Sequence, residues 1–191
     1  MCIRDRVYGE ALALLAGDAL VTEAPLMIAR NYSDTPDVAI KLVELLCDSA
    51  GMIGMIGGQV MDLAAQGLLK GGSPQDLTQE ELQDLHQRKT GELIRAAVLG
   101  PGIIGRFADE TLEQLETYGS LLGLAFQLAD DIHDYNPDDP ESSGYPKYIG
   151  VEGTRKLLEE TTEKAIMITN KLGKNSSSLR DIAVYNRDRE I

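Results

Sequence analysis

The stretch LAFQLADDIHDYNPDDPE, residues 124–141, decides how the chain is read. Gln127, Asp130, Asp131 and Asp134 fall at i, i+3, i+4 and i+7, which places them on one face of a helix. Leu121, Leu122, Ala125, Leu128, Ala129 and Ile132 spread over the remaining surface and can pack. The carboxylates therefore form a narrow stripe on a helix that reads as mostly buried. Like charges on neighbouring turns repel, and close carboxylates withdrawn from water are costly unless a cation pairs with them. Hard carboxylate oxygens suit Mg²⁺, which is usually held by one or two of them together with substrate phosphates. Two rivals exist for the same residues. One is a solvated helix end running into an acidic loop. The other is a calcium loop with Asp134, Asn136 and Asp138 in ligand spacing. It fails because Asp139 stands where glycine is needed and Tyr145 where glutamate is needed.

Outward from this helix, nearly every segment reads as helix. Val7 to Arg30 is rich in Ala and Leu, with no breaker before Pro25. Residues 35–66 start with Thr35 as N-cap, Pro36 at the first helical position and Asp37 in the first turn. Thr78 and Glu81 have the spacing of a capping box and open a helix that Gly100-Pro101-Gly102 is expected to stop. Helices are expected over Asp109 to Asp134, Glu152 to Leu172 and Ser176 to Arg189. No stretch alternates as a strand does, so the fold class is all-α, a packed helical array with short connections. No internal repeat or linker marks a domain boundary. The first helix is apolar all round, with Leu12, Leu14, Leu15, Leu20 and Leu26 pointing in several directions. Such a helix is usually buried, so a partner subunit or residues upstream are expected to cover it.

The 191 residues carry a formal charge of −13, which argues against a nucleic-acid footprint. Two cysteines, Cys2 and Cys47, imply no disulfide framework. Cys47 lies in an apolar run and is expected in the core. No signal peptide or membrane span is expected, because Gln59, Asp62 and Gln66 interrupt the stretch read as least polar, residues 50–69, which reads as a buried helix. The opening MCIRDR, residues 1–6, joins poorly to the helix after it and reads as a leader outside the fold.

A second constellation is basic. HQRKTGELIR, residues 86–95, holds Arg88, Lys89, Thr90 and Arg95 around Gly91. Glycine inside a helix costs about 1 kcal/mol against Ala and often marks a bend or a close approach. A Lys-Thr pair at such a bend can offer an ammonium and a hydroxyl to phosphate oxygens, although a solvated basic face reads the same way. His86 suits a surface position and a functional one equally. In GMIGMIGGQVMDL, residues 51–63, the spaced glycines let helices approach, and Gln59 and Asp62 share a face that could reach a polar cavity.

Together and in this order, YGEALALLAGDAL (8–20), GMIGGQVMDL (54–63), LHQRKTGELIRAAVLG (85–100), YGSLLGLAFQLADDIHD (118–134) and LRDIAVYNRDRE (179–190) resemble trans-isoprenyl diphosphate synthases of the farnesyl and geranylgeranyl type. The resemblance implies the isoprenoid-synthase helical bundle. It also implies a prenyl transfer in which an allylic diphosphate ionises, isopentenyl diphosphate attacks the cation and a proton is lost. By motif match, Asp130, Asp131 and Asp134 resemble the second Asp-rich, Mg²⁺-holding motif. Lys89, Thr90 and Gln127 resemble the residues that hold the allylic diphosphate, and Gln59 and Asp62 match positions near the pocket. Catalysis would then rest on Asp130, Asp131 and Lys89, in a cytoplasmic homodimer. The family's first Asp-rich motif has no counterpart here, so residues 7–191 resemble the C-terminal part of a single polyprenyl synthetase domain, inactive alone. The loop after Asp134 has Tyr145-Pro146 but no lysine before it, leaving Lys147 as a substitute. A terpene cyclase of the same fold and a non-catalytic helical partner are the rival readings.

Overall fold

The structure, a computed structural model, describes residues 3–138 and 143–189. Met1 and Cys2 of the leader, most of the second half of the acidic loop and Glu190 lie outside the described residues. The described residues form helices and connections without a strand, so the all-α class holds. Two compact units divide the chain, Met1–Cys47 and Asp48–Ile191.

The first unit holds α1 (Ile3–Tyr8), α2 (Glu10–Asn31) and most of α3 (Pro36–Ala50). Helix α3 starts where the Thr-Pro-Asp signal places it. Helix α2 runs through Pro25 and buries no side chain, and Leu14 is 67% exposed. Among the described residues, α2 is the one helix long and apolar enough to cross a membrane, judged by length and composition. Cys47 corrects the sequence reading, because it is exposed. The face of α3 that turns inward carries Val38 and Leu42, whereas Cys47 lies on the outward side with Glu44 and Asp48.

The second unit is built round α7 (Asp109–Asp134), whose bounds match the sequence expectation. Leu128, Ala125 and Ala129 of α7 pack with Leu82 of α5 (Gln79–His86) and with Tyr145 and Leu158 at and within α8 (Pro146–Leu172). One stretch along, Tyr118 and Leu122 pack with Ala165 of α8 and Ala183 of α9 (Ser177–Asp188). Apolar side chains on several faces of α7 are thereby satisfied by different neighbours, as its sequence required.

Four boundaries differ from expectation, the first being the break of the run 7–30 at Gly9 (φ 82°), which separates α1 from α2. The run 35–66 breaks after Ala50 and resumes as α4 (Met55–Ala65), because Gly51 and Gly54 are poor helix formers. Gly100-Pro101-Gly102 does not stop α6 (Glu92–Ile104). A Cβ on Gly102 would stand 2.8 Å from side-chain atoms of Leu112 and Leu115, so this glycine serves the close packing of α6 on α7. Helix α8 begins early, with Pro146 in its first turn, and is interrupted at Gly150 (φ 71°, ψ 164°) just before the expected start.

The capping box forms as read. The Thr78 N–H donates to Glu81 Oε2 at 2.8 Å, and the Glu81 N–H donates to Thr78 Oγ1 at 3.2 Å. Helix α5 then passes into a π-turn, Gln87–Gly91, before α6. Glycines press on this turn from both sides. A Cβ on Gly58 of α4 would overlap the Lys89 backbone, and one on Gly123 of α7 would lie 2.8 Å from Gly91 Cα.

Candidate functional site

The π-turn is the local consequence of QRKTG. Gly123 of α7 lacks the Cβ that would meet Gly91, so α7 comes close to the turn, while a Cβ on Gly91 itself would stand 2.7 Å from the Gln87 side chain. Such single π-turns often lie at functional sites. Thr90 reaches α7 through Gln127, whereas Lys89 turns to Asp62 on α4 and the two arginines grouped with them by sequence pair elsewhere. Arg88 donates to Asp84 Oδ1 and Oδ2 at 2.9 and 3.0 Å and to the Ile53 carbonyl at 3.2 Å. Arg95 bridges Glu92 and Glu116 at 2.7 and 2.8 Å.

The Lys89 ammonium pairs with Asp62 Oδ2 on α4, and Gln66 Nε2 holds the other oxygen of Asp62 at 2.8 Å. Gln59, three residues before Asp62, lies exposed. Thr90 Oγ1 donates to Gln127 Oε1 at 3.3 Å, and Gln127 Nε2 donates to Asp131 Oδ1 at 2.8 Å. The Tyr145 N–H donates to Asp131 Oδ2 at 2.8 Å. One hydrogen-bonded line therefore joins the π-turn, the acidic helix and the start of α8.

The three carboxylates of DDIHD do not converge. Neighbouring helical residues point about 100° apart, which separates Asp130 from Asp131. Asp131 turns inward and is 7% exposed. Asp130 pairs with Arg189, which follows α9, donates to the Phe126 carbonyl at 3.2 Å and stacks 4.2 Å over the Phe126 ring. Asp134 is exposed in the last turn of α7. Among the described residues, no group of three His, Cys, Asp or Glu side chains is gathered to hold a metal. Asp134, exposed, and Asp130 one turn before it, whose Oδ1 is taken by Arg189, carry hard oxygens that would suit Mg²⁺ as a two-carboxylate set completed by phosphate once Arg189 gives way. Their place at a helix C-terminus, the negative end of the macrodipole, adds to the demand for a cation.

His86 sits beneath this arrangement. Its Nδ1 is 3.9 Å from Asp131 Oδ2 and is buried without a hydrogen-bond partner. Its ring lies 5.9 Å from that of Tyr145. Burial holds its pKa below the usual 6.5; Asp131 and Asp62 oppose that shift and Lys89 adds to it. Burial likewise holds the Asp131 carboxyl above the usual 3.8 and Asp130 adds to this, against His86, Gln127 and the Tyr145 N–H. Lys147 carries its ammonium to Asp76. Sequence reasoning missed the part of Tyr145, since it is played by a backbone N–H, and that of Arg189, although RDRE lies in a stretch already matched to the family. For His86 the available signal was its place one turn before Lys89.

The fold is the helical one of prenyl synthases. It superposes on an FPP/GFPP synthase from Zymomonas mobilis with a TM-score of 0.86 and 30% sequence identity, over 95% of this chain and 63% of that one. The polyprenyl synthetase family model matches residues 1–147, so the chain belongs to that family. This match includes α2, which is thereby a helix of the family. The chain is 33% identical to farnesyl diphosphate synthase of Bacillus subtilis (strain 168), over 84% of this chain and 56% of that protein. It is also 33% identical to farnesyl diphosphate synthase of Micrococcus luteus, over 93% of this chain and 62% of that protein. The chain thus spans about three fifths of the length of these relatives.

Proposed function

We propose that the completed protein is a Mg²⁺-dependent prenyltransferase that condenses isopentenyl diphosphate with an allylic diphosphate, and that this chain supplies the allylic diphosphate end of the site. The observation that carries the reading is the Thr90–Gln127 hydrogen bond, which ties the basic π-turn to the acidic end of α7 across 37 residues. It supports the reading because it links the turn that carries Lys89 to the helix that carries the acidic motif. Lys89 and Thr90 offer charge and a hydroxyl to the diphosphate. Asp130 and Asp134 hold Mg²⁺, which supplies Lewis-acid stabilisation of the departing anion. The apolar flanks of α7 help to keep water from the allylic cation. In this reading the protein works as a cytoplasmic homodimer.

The test is incorporation of labelled isopentenyl diphosphate in the presence of Mg²⁺ and dimethylallyl or geranyl diphosphate, by this chain and by the protein extended upstream. Chain-lengthened product that needs all three components supports the reading. Diphosphate release without isopentenyl diphosphate favours a cyclase, and no turnover by the extended protein contradicts both.

A further inference from the structure

Three acids of one motif meet three environments. Asp134 faces solvent, Asp130 is 30% exposed against Arg189, and Asp131 is buried with both oxygens occupied. An ionised carboxylate only accepts hydrogen bonds. Asp131 therefore requires the nitrogen end of the Gln127 amide, which leaves Oε1 of that amide to face the Thr90 hydroxyl. Its other oxygen takes the Tyr145 N–H, and Gly144 makes room for this contact. Gly144 has φ 99°, and a Cβ there would lie 2.7 Å from Asp131 Cγ and 2.8 Å from Oδ2.

We propose that Asp131 is a positioning residue and not a metal carboxylate: it orients the Gln127 amide towards Thr90 and fastens the start of α8 to α7. The assignment rests on the reading of this region as a Mg²⁺-diphosphate site and divides the labour within the acidic motif. Asp130 and Asp134 supply charge outward, whereas Asp131 spends its oxygens on the chain. Replacing Asp131 by Asn keeps the shape but sets an amide nitrogen against either Gln127 Nε2 or the Tyr145 N–H, donor against donor. Each orientation costs one bond, so both are populated: in one Gln127 turns over, reversing its bond to Thr90, and in the other the start of α8 comes loose.

The experiment uses the whole chain with Mn²⁺ as metal probe, read by EPR, and inorganic pyrophosphate as anion probe, read by calorimetry with Mn²⁺ present. Asp130→Asn is expected to lower Mn²⁺ affinity about tenfold, and Asp131→Asn to change it less than about threefold. Asp131→Asn should weaken pyrophosphate binding by about fivefold, the worth of one hydrogen bond. That weakening should vanish in a Gln127→Ala background, because a residue acting through Gln127 is not additive with its loss. Hydrogen exchange at the Tyr145 amide should be fast in Asp131→Asn and slow in Gln127→Ala. Gly144→Ala, which displaces the same carboxylate without altering it, serves if Asp131→Asn does not fold. Loss of Mn²⁺ affinity in Asp131→Asn equal to that in Asp130→Asn, or a pyrophosphate effect undiminished in the Gln127→Ala background, overturns the assignment alone. A wild-type chain that takes up neither Mn²⁺ nor pyrophosphate overturns the site reading and the assignment with it.

Discussion

Gly144→Ala compared with Gly150→Ala isolates the contact between Asp131 and the start of α8. Both glycines have left-handed φ, 99° and 71°. An alanine at either strains the backbone by about 1–3 kcal/mol. At Gly150 nothing lies within 4 Å of the added Cβ, so strain is the whole effect. At Gly144 the Cβ meets the Asp131 carboxylate and pushes it from the Tyr145 N–H. A hydrogen bond to a charged group contributes about 1.5–3 kcal/mol. Gly144→Ala should therefore destabilise by about 2.5–6 kcal/mol, a large share of the roughly 5–15 kcal/mol of an ordinary domain. Urea unfolding of both variants under the same conditions gives the difference directly, and common strain largely cancels. A Gly144→Ala loss no greater than that of Gly150→Ala refutes the reasoning, because the Asp131 contact would then add nothing.

Three further outcomes are expected. Arg189→Gln should raise Mn²⁺ affinity about fivefold, since an ion pair contributing roughly 1 kcal/mol no longer competes for Asp130; unchanged affinity on EPR titration counts against competition. Lys89→Ala should weaken pyrophosphate binding about tenfold while unfolding free energy falls by about 1 kcal/mol or less, and equal losses in both would mark a structural lysine. His86 has a folded pKa below 6.5, so the folded state binds fewer protons than the unfolded state below that pH, and stability is lost as pH falls through the folded pKa. Melting temperatures measured below pH 6.5 should therefore decline less in His86→Gln than in the wild type. Asp131, raised above 3.8, has the opposite sign: its contribution is lost as pH rises through its folded pKa.

Much of this fold was legible because the signals were local. Thr35-Pro36-Asp37, the Thr78–Glu81 box and the long apolar periodicity of residues 109–134 each act within one or two turns, and the helices form there. Gly100-Pro101-Gly102 misled because helix propensity weighs less than packing: Leu112 and Leu115 fill the space that Gly102 leaves. Cys47 misled because an apolar run on a helix has an outer side. The chemistry divides in the same way. Lys89, Thr90 and Gln127 carry spacing and side-chain signals, and the structure brings Thr90 to Gln127. Asp131 shares its face with Gln127 by spacing, yet its burial depends on Tyr145 and His86, which are remote in sequence or contribute backbone. Arg189 reaches Asp130 only through the packing of α9 on α7, which no local pattern records.

The proposed chemistry depends on the acidic end of α7 and the Lys89-Thr90 turn forming one metal-diphosphate clamp. Calorimetric titration of Mn²⁺ with pyrophosphate into the wild type, Asp130→Asn and Lys89→Ala probes both halves of that clamp at once. Binding should need metal and anion together and weaken at least about tenfold in each variant. Binding that is equal in all three proteins, or pyrophosphate uptake indifferent to metal, would contradict the clamp.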